Sequence, residues 1–167
     1  GNLLARRGAQ RDDAVQARDE IRYAIRQLQQ LADLQSTVER ENLLGSAWKR
    51  LALVEEAGAA ELAALQRSQQ HYARAEAMAL ASGADDLFYP IMNGVALQLR
   101  IAALQRQPKI ELDAVRVAAA LQSLQAKSVS APDFWSVVAL IWSIRELICA
   151  RRPDADFMAS CNRPFCW

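Results

Sequence analysis

The sequence predicts an all-α fold of antiparallel helix pairs, on three observations. Of the 167 residues 52% are hydrophobic but only 7% are aromatic, so the apolar mass is mostly Ala and Leu, which lose least on entering a helix. Gly occurs 6 times and Pro 5 times, too rarely for the many tight turns of a β-sandwich or barrel. Apolar residues recur at helical intervals in successive segments with short breaks between them. This length supports one domain, residues 1–167, burying roughly two-thirds of its extended-chain surface.

Charge and cysteine usage narrow the partners. Lys and Arg total 20 against 19 Asp and Glu, a balance that gives no general attraction for nucleic acid or anionic lipid. The longest apolar run, Val137–Trp142, is far short of the roughly 20 residues that cross a bilayer, so no membrane partner is expected. The opening Gly1-Asn2-Leu3 lacks signal-peptide features and reads as a piece of something longer. Cys149, Cys161 and Cys166 are odd in number and late in the chain, and His71 is the lone histidine. A reduced, cytoplasmic protein without metal or other cofactor is the expectation, with Cys161 and Cys166 the one pair close enough in sequence for a bridge.

Each element follows from its pattern. Residues 12–35 carry Ile21, Ile25, Leu28, Ala32 and Gln35 on one stripe, widened by Tyr23, Leu31 and Leu34. Arg18, Arg22, Arg26, Gln29 and Gln30 form the opposite, solvated face. Ser36 and Thr37 offer N-cap hydroxyls, and Ser36 with Glu39 fits a capping box opening a helix over 38–57. Gly58 breaks it; a third helix over 59–81 carries Leu62, Leu65, Tyr72, Ala75 and Ala79 and stops at Ser82-Gly83. Asp85 or Asp86 caps a helix over 86–106 with Pro90 in its first turn. Helices over 110–126 and 133–151 follow, linked by Ser128–Ser130, and the last is apolar on nearly every side. Residues 153–167 form a tail.

A small residue and an aromatic recur at repeat spacing. Leu44, Gly45 and Trp48 in one helix, and Ser68, Tyr72 and Ala75 in the next, match the two helices of a tetratricopeptide unit; Gly94 begins a second, weaker match. Here the chain resembles the tetratricopeptide family, which implies a solenoid of about six or seven helices that binds partners. Gly45 and Gly94 lie 49 positions apart against a usual period of about 34, which implies longer helices. The segments Asn42–Ala52, Asp85–Asn93 and Asp133–Leu140 also resemble divergent helical repeats of multidomain bacterial signalling and defence proteins, where such repeats join effector domains.

Candidate chemistry is sparse. His71 has no carboxylate at i±4 to orient it as a base. Glu55 and Glu56, being adjacent, point in different directions, and Asp85 and Asp86 sit where carboxylates favour a helix start. No phosphate-loop, dinucleotide, zinc-protease, nucleophile-elbow or calcium-loop pattern occurs, so no catalysis is expected. Arg18, Arg22 and Arg26 on the first helix, and Phe134, Trp135 and Trp142 on the last, are the candidate interface residues. The expected function is a non-catalytic protein-interaction scaffold that holds a peptide, a helix or a flanking domain between stacked helices. The alternatives are a ligand sensor lined by Trp48, His71, Tyr72 and Tyr89, and a homodimer burying the last helix.

Overall fold

The computed structural model describes residues 14–84 and 86–130, all helix and connecting turns. Five helices lie among the described residues: α1 (Ala14–Leu34), α2 (Val38–Ala52), α3 (Ala59–Ser82), α4 (Phe88–Leu104) and α5 (Ala114–Ser130). Each packs on the next in sequence, α2 against α3 most extensively, and the short links turn the chain back on itself each time. The all-α helix-pair expectation holds; the expected helix over 133–151 and the tail over 153–167 lie outside the described residues.

α1 is buried on one side only. Ala17, Ile21, Ala24, Ile25, Leu28 and Ala32 enter the core, each large aliphatic there contributing about 1.5–3 kcal/mol. The expected widening of that stripe does not occur: Tyr23, Leu31 and Leu34 are 49%, 47% and 83% exposed, and Gln35 is exposed too. Among the described residues only α2 covers α1 extensively, and a single partner helix leaves one flank uncovered.

The α1–α2 joint is capped from both sides. Thr37, in extended conformation, accepts from the Arg40 amide at 3.2 Å, so Thr37 and not Ser36 is the N-cap; the Ser36 hydroxyl instead donates to Glu41 at 2.8 Å. The Arg40 guanidinium turns back to the carbonyls of Leu31, in the last turn of α1, and Gln35, just beyond it, at 2.9 and 2.6 Å, satisfying acceptors the helix end leaves open.

α2 stops at Ala52, short of the expected 57. Glu55 is drawn off the helix by Arg22 at 2.7 Å and Arg18 at 3.8 Å, and Gly58 reverses the chain at φ +112°, where a side chain would be strained. α3 ends as the sequence indicates: Gly83 is left-handed at φ +65°, and its amide and that of Ala84 both close on Ala79 O. α4 has no side-chain cap of its own. Asp86 pairs instead with Lys127 at 2.6 Å, and Ser123 of α5 accepts the Phe88 amide at 3.2 Å. Asp85 lies outside the described residues. α5 begins at Ala114 rather than 110 because Asp113 accepts the Val115 and Arg116 amides at 2.9 and 3.1 Å. It runs through 128–130, the expected link, since isolated serines do not break a helix that meets neither Gly nor Pro.

Two buried clusters share α4. Leu97 and Ile101 join the core of α1, α2 and α3 around Leu44, Leu65 and Tyr72. Phe88, Ile91 and Val95 pack with Ala120 and Leu124 of α5. The densest crossing is at Gly45, where a Cβ would lie 2.8 Å from Tyr72 Cε2, and the Gly45 carbonyl accepts the Ser68 hydroxyl at 2.7 Å. At Gly94 a Cβ would meet only the end of the Arg116 side chain, Nη2, at 2.6 Å.

These two glycines separate in a substitution experiment. Gly45→Ala must displace a fully buried ring, costing about 1–3 kcal/mol before a helix-propensity gain of about 0.5–1 kcal/mol, so a net loss of about 1–2 kcal/mol is expected in urea denaturation. Gly94→Ala displaces a flexible guanidinium and should stay within about 0.5 kcal/mol of wild type. Equal costs at the two sites would contradict the assignment.

Candidate functional site

Lys49 of α2 and Asn93 of α4 bridge their helices where α3 presents Tyr72. The Lys49 ammonium donates to Asn93 Oδ1 at 2.7 Å and stands 5.9 Å from the centre of the Tyr72 ring, within cation–π range. Asn93 is oriented by its own Nδ2, which donates to the Tyr89 carbonyl at 2.9 Å. Tyr89 meets Tyr72 edge to face at 6.1 Å, and with 38% of its surface exposed it marks the mouth of the site. Beneath it, Arg50 is buried and donates to Ser46 at 2.6 Å.

Burial sets the protonation chemistry here. The Lys49 amine is pushed down to about 8, first by desolvation and then by the neighbouring Arg50 charge. The Tyr72 hydroxyl is pushed well up, by burial and then by Tyr89, and it closes no hydrogen bond of good geometry among the described residues. A cation facing a neutral amide and a buried hydroxyl whose neighbours align poorly with it are both costly.

A second constellation joins α2 to α3. His71 Nδ1 lies 2.8 Å from Glu41 Oε2, and Glu41 Oε1 accepts the Ser36 hydroxyl at 2.8 Å. The orienting carboxylate absent at i±4 is supplied 30 positions earlier, from another helix. The carboxylate stands between serine and histidine, so the hydroxyl faces a carboxylate rather than the imidazole and the order is not that of a nucleophilic triad.

A third feature is an open groove of about 490 Å³ lined by Gln69, Gln70, Ala73, Glu76, Ala77, Leu80 and Arg116. Arg116 crosses Gly94 to grip Glu76 with two nitrogens, at 2.6–3.0 Å. None of Trp48, His71, Tyr72 and Tyr89 lines this groove. Tyr72 and Tyr89 come together at Lys49, His71 turns to Glu41, and Trp48 packs on the core edge.

The residues singled out in the sequence fall into place as follows. Leu44, Gly45, Ser68, Tyr72, Ala75 and Gly94 are buried, and Trp48 is partly so. Arg18 and Arg22 are engaged by Glu55, and Arg26 lies 5.8 Å over the Tyr23 ring. Phe134, Trp135, Trp142, Cys161 and Cys166 lie outside the described residues. Sequence reasoning passed over Lys49 and Asn93, which are 44 positions apart. The available signal was position alone: Lys49 lies one turn after Gly45 and Asn93 directly before Gly94.

Stacked antiparallel helices, with a glycine seating an aromatic ring from the partner helix, define a tetratricopeptide-type scaffold. Over residues 1–99 the chain matches the family model described as Tetratricopeptide Repeats-Sensor, and it belongs to that family. The matched stretch includes Lys49, Tyr72, Tyr89 and Asn93. No curated protein and no solved structure matches the chain. The chain is thus a helical module of the interaction or sensor type, a class generally without catalysis. Among the described residues no helix is long and apolar enough to cross a membrane.

The Lys49 amine carries a pH signature. Its folded-state value, about 8, lies below the ordinary 10.5, so between these the unfolded chain binds more protons and stability rises with pH, at most about 1.4 kcal/mol per unit. Above about 10 the raised Tyr72 opposes this, because the unfolded hydroxyl ionises first. Lys49→Met should raise stability near neutral pH by about 1–2 kcal/mol and flatten the rise from pH 8 to 10 in urea melts. A destabilised variant with an unchanged pH profile would contradict the desolvated amine.

Proposed function

We propose that this chain is a non-catalytic docking module that holds a protein partner, either a peptide or a flanking domain of the same polypeptide, against the α2–α4 side around Lys49. The supporting observation is the Lys49 cluster itself: a cation withdrawn from water, met by a neutral amide, on a stack made rigid by the Gly45–Tyr72 crossing. Groups held at such a cost mark functional sites more often than average. The Ser36–Glu41–His71 order supports the non-catalytic part. Small-ligand sensing is a second reading, favoured by the buried Tyr72 hydroxyl, which a small acceptor would satisfy.

A photo-crosslinking amino acid placed at Tyr89, with Val115 of α5 as an exposed control, tests this in cells. A discrete protein adduct at position 89 and none at 115, identified by mass spectrometry, is the expected result. A small molecule retained in native mass spectrometry, with no adduct at 89, would replace the first reading by the second. Neither result, or equal adducts at both positions, would contradict both readings.

A further inference from the structure

We propose that Lys49, together with Tyr72, is the seat of an anionic group, a carboxylate or a phosphate, carried by the molecule that occupies the α2–α4 side. The inference rests on the docking reading above and adds the chemistry of what docks.

Charge accounting carries the first part. The acids that face this stack are already engaged. Glu41 bonds His71, Glu55 pairs with Arg22, Glu61 with Arg100 at 2.8 Å, and Glu76 with Arg116. Lys49 finds no carboxylate within ion-pair distance among the described residues, and its one hydrogen-bond acceptor is the neutral Oδ1 of Asn93. An ammonium has three N–H donors and no acceptor capacity, so two donors remain for a ligand. Arg50, next along the chain, adds a second positive charge. The field at the site therefore selects for negative charge.

Hydrogen bonding carries the second part. The Tyr72 hydroxyl is wholly buried, and its pKa is raised, so it stays a donor across the physiological range. The Ser46 and Tyr89 side chains are its polar neighbours, and neither closes a hydrogen bond of good geometry with it. An oxyanion supplies a well-aligned acceptor for the hydroxyl and a counter-charge for the amine, and charge-assisted bonds are the stronger kind. Tyr89 at the mouth, stacked edge-on against Tyr72, would cover the group and keep water from competing. Binding should raise the Lys49 pKa from about 8, so affinity is full below that pH and falls as pH rises through it.

The test uses inorganic phosphate and acetate as probes, with chloride at matched ionic strength as the control. Thermal shift and lysine side-chain NMR are recorded up to roughly 50 mM anion on the wild-type chain, Lys49→Met and Tyr72→Phe. A melting-temperature rise above the chloride control, with an upward shift of the Lys49 pKa, is expected in wild type. Apparent affinity should weaken at least tenfold in Lys49→Met and about threefold in Tyr72→Phe. A response to phosphate alone assigns a phosphoryl group, to acetate alone a carboxylate, and to both a site that reads charge. No response to either anion, or equal affinity in wild type and Lys49→Met, would overturn the proposal. Lys49→Met is expected to fold at least as well as wild type, so lost binding is not lost structure. An adduct at position 89 without anion binding would remove the anionic anchor and leave the docking side standing; loss of the adduct with anion binding intact would do the reverse.

Discussion

Gly45 has no side chain, and Tyr72 uses the space. The ring sits where a Cβ would be 2.8 Å away, at the most extensive helix pair of the described stack, α2 on α3, and Ser68 ties the Gly45 carbonyl to α3. Other distances follow from this approach. Tyr72 also meets Tyr89 of α4, so one ring touches two neighbouring helices, and Leu97 and Ile101 join the same buried cluster as Ile21 and Leu44. Close-packed interiors transmit such constraints because few voids exist to absorb them. The position of Lys49 over the Tyr72 ring is a consequence of the same contact.

Charged side chains then fasten one helix to the next. Arg40 caps the end of α1, Glu55 gathers Arg18 and Arg22 from α1 to the α2–α3 turn, Arg116 reaches from α5 to Glu76 of α3, and Lys127 reaches Asp86 before α4. Each exposed pair contributes little to stability alone, and each ties one helix or turn to a neighbour. Two consequences bear on function. Of the arginines of α1, which as a bare sequence look like a basic surface, Arg18 and Arg22 pair with Glu55 and Arg26 lies over the Tyr23 ring. Lys49 is the contrasting case, a cation that this pairing pattern leaves facing a neutral amide.

Much of the fold was legible because helical periodicity is local. The stripes of α1 and α3 and the glycine stop at Gly83 are written within a few turns of chain, and Gly45 and Tyr72, on different helices, were legible through the repeat spacing. The misread features depend on residues distant in sequence. Tyr23, Leu31 and Leu34 have helical spacing but no helix among the described residues covers them; the first turn of α4 is capped by Ser123, 35 positions later; and His71 is oriented by Glu41 from another helix. The candidate site was illegible for the same reason. Nothing in the strings around Lys49 and Asn93 says that they meet, and a lysine's desolvation exists only once three helices have closed around it.

The central claim is that Tyr72 seated on bare Gly45 backbone fixes the stack, and a double-mutant cycle measures it directly. With Gly45→Ala and Tyr72→Leu made singly and together, the account predicts that the alanine costs at least about 1 kcal/mol less when the ring is absent, a coupling typical of residues in contact. The same alanine cost in both backgrounds would show that the ring does not need the glycine, and would contradict the account.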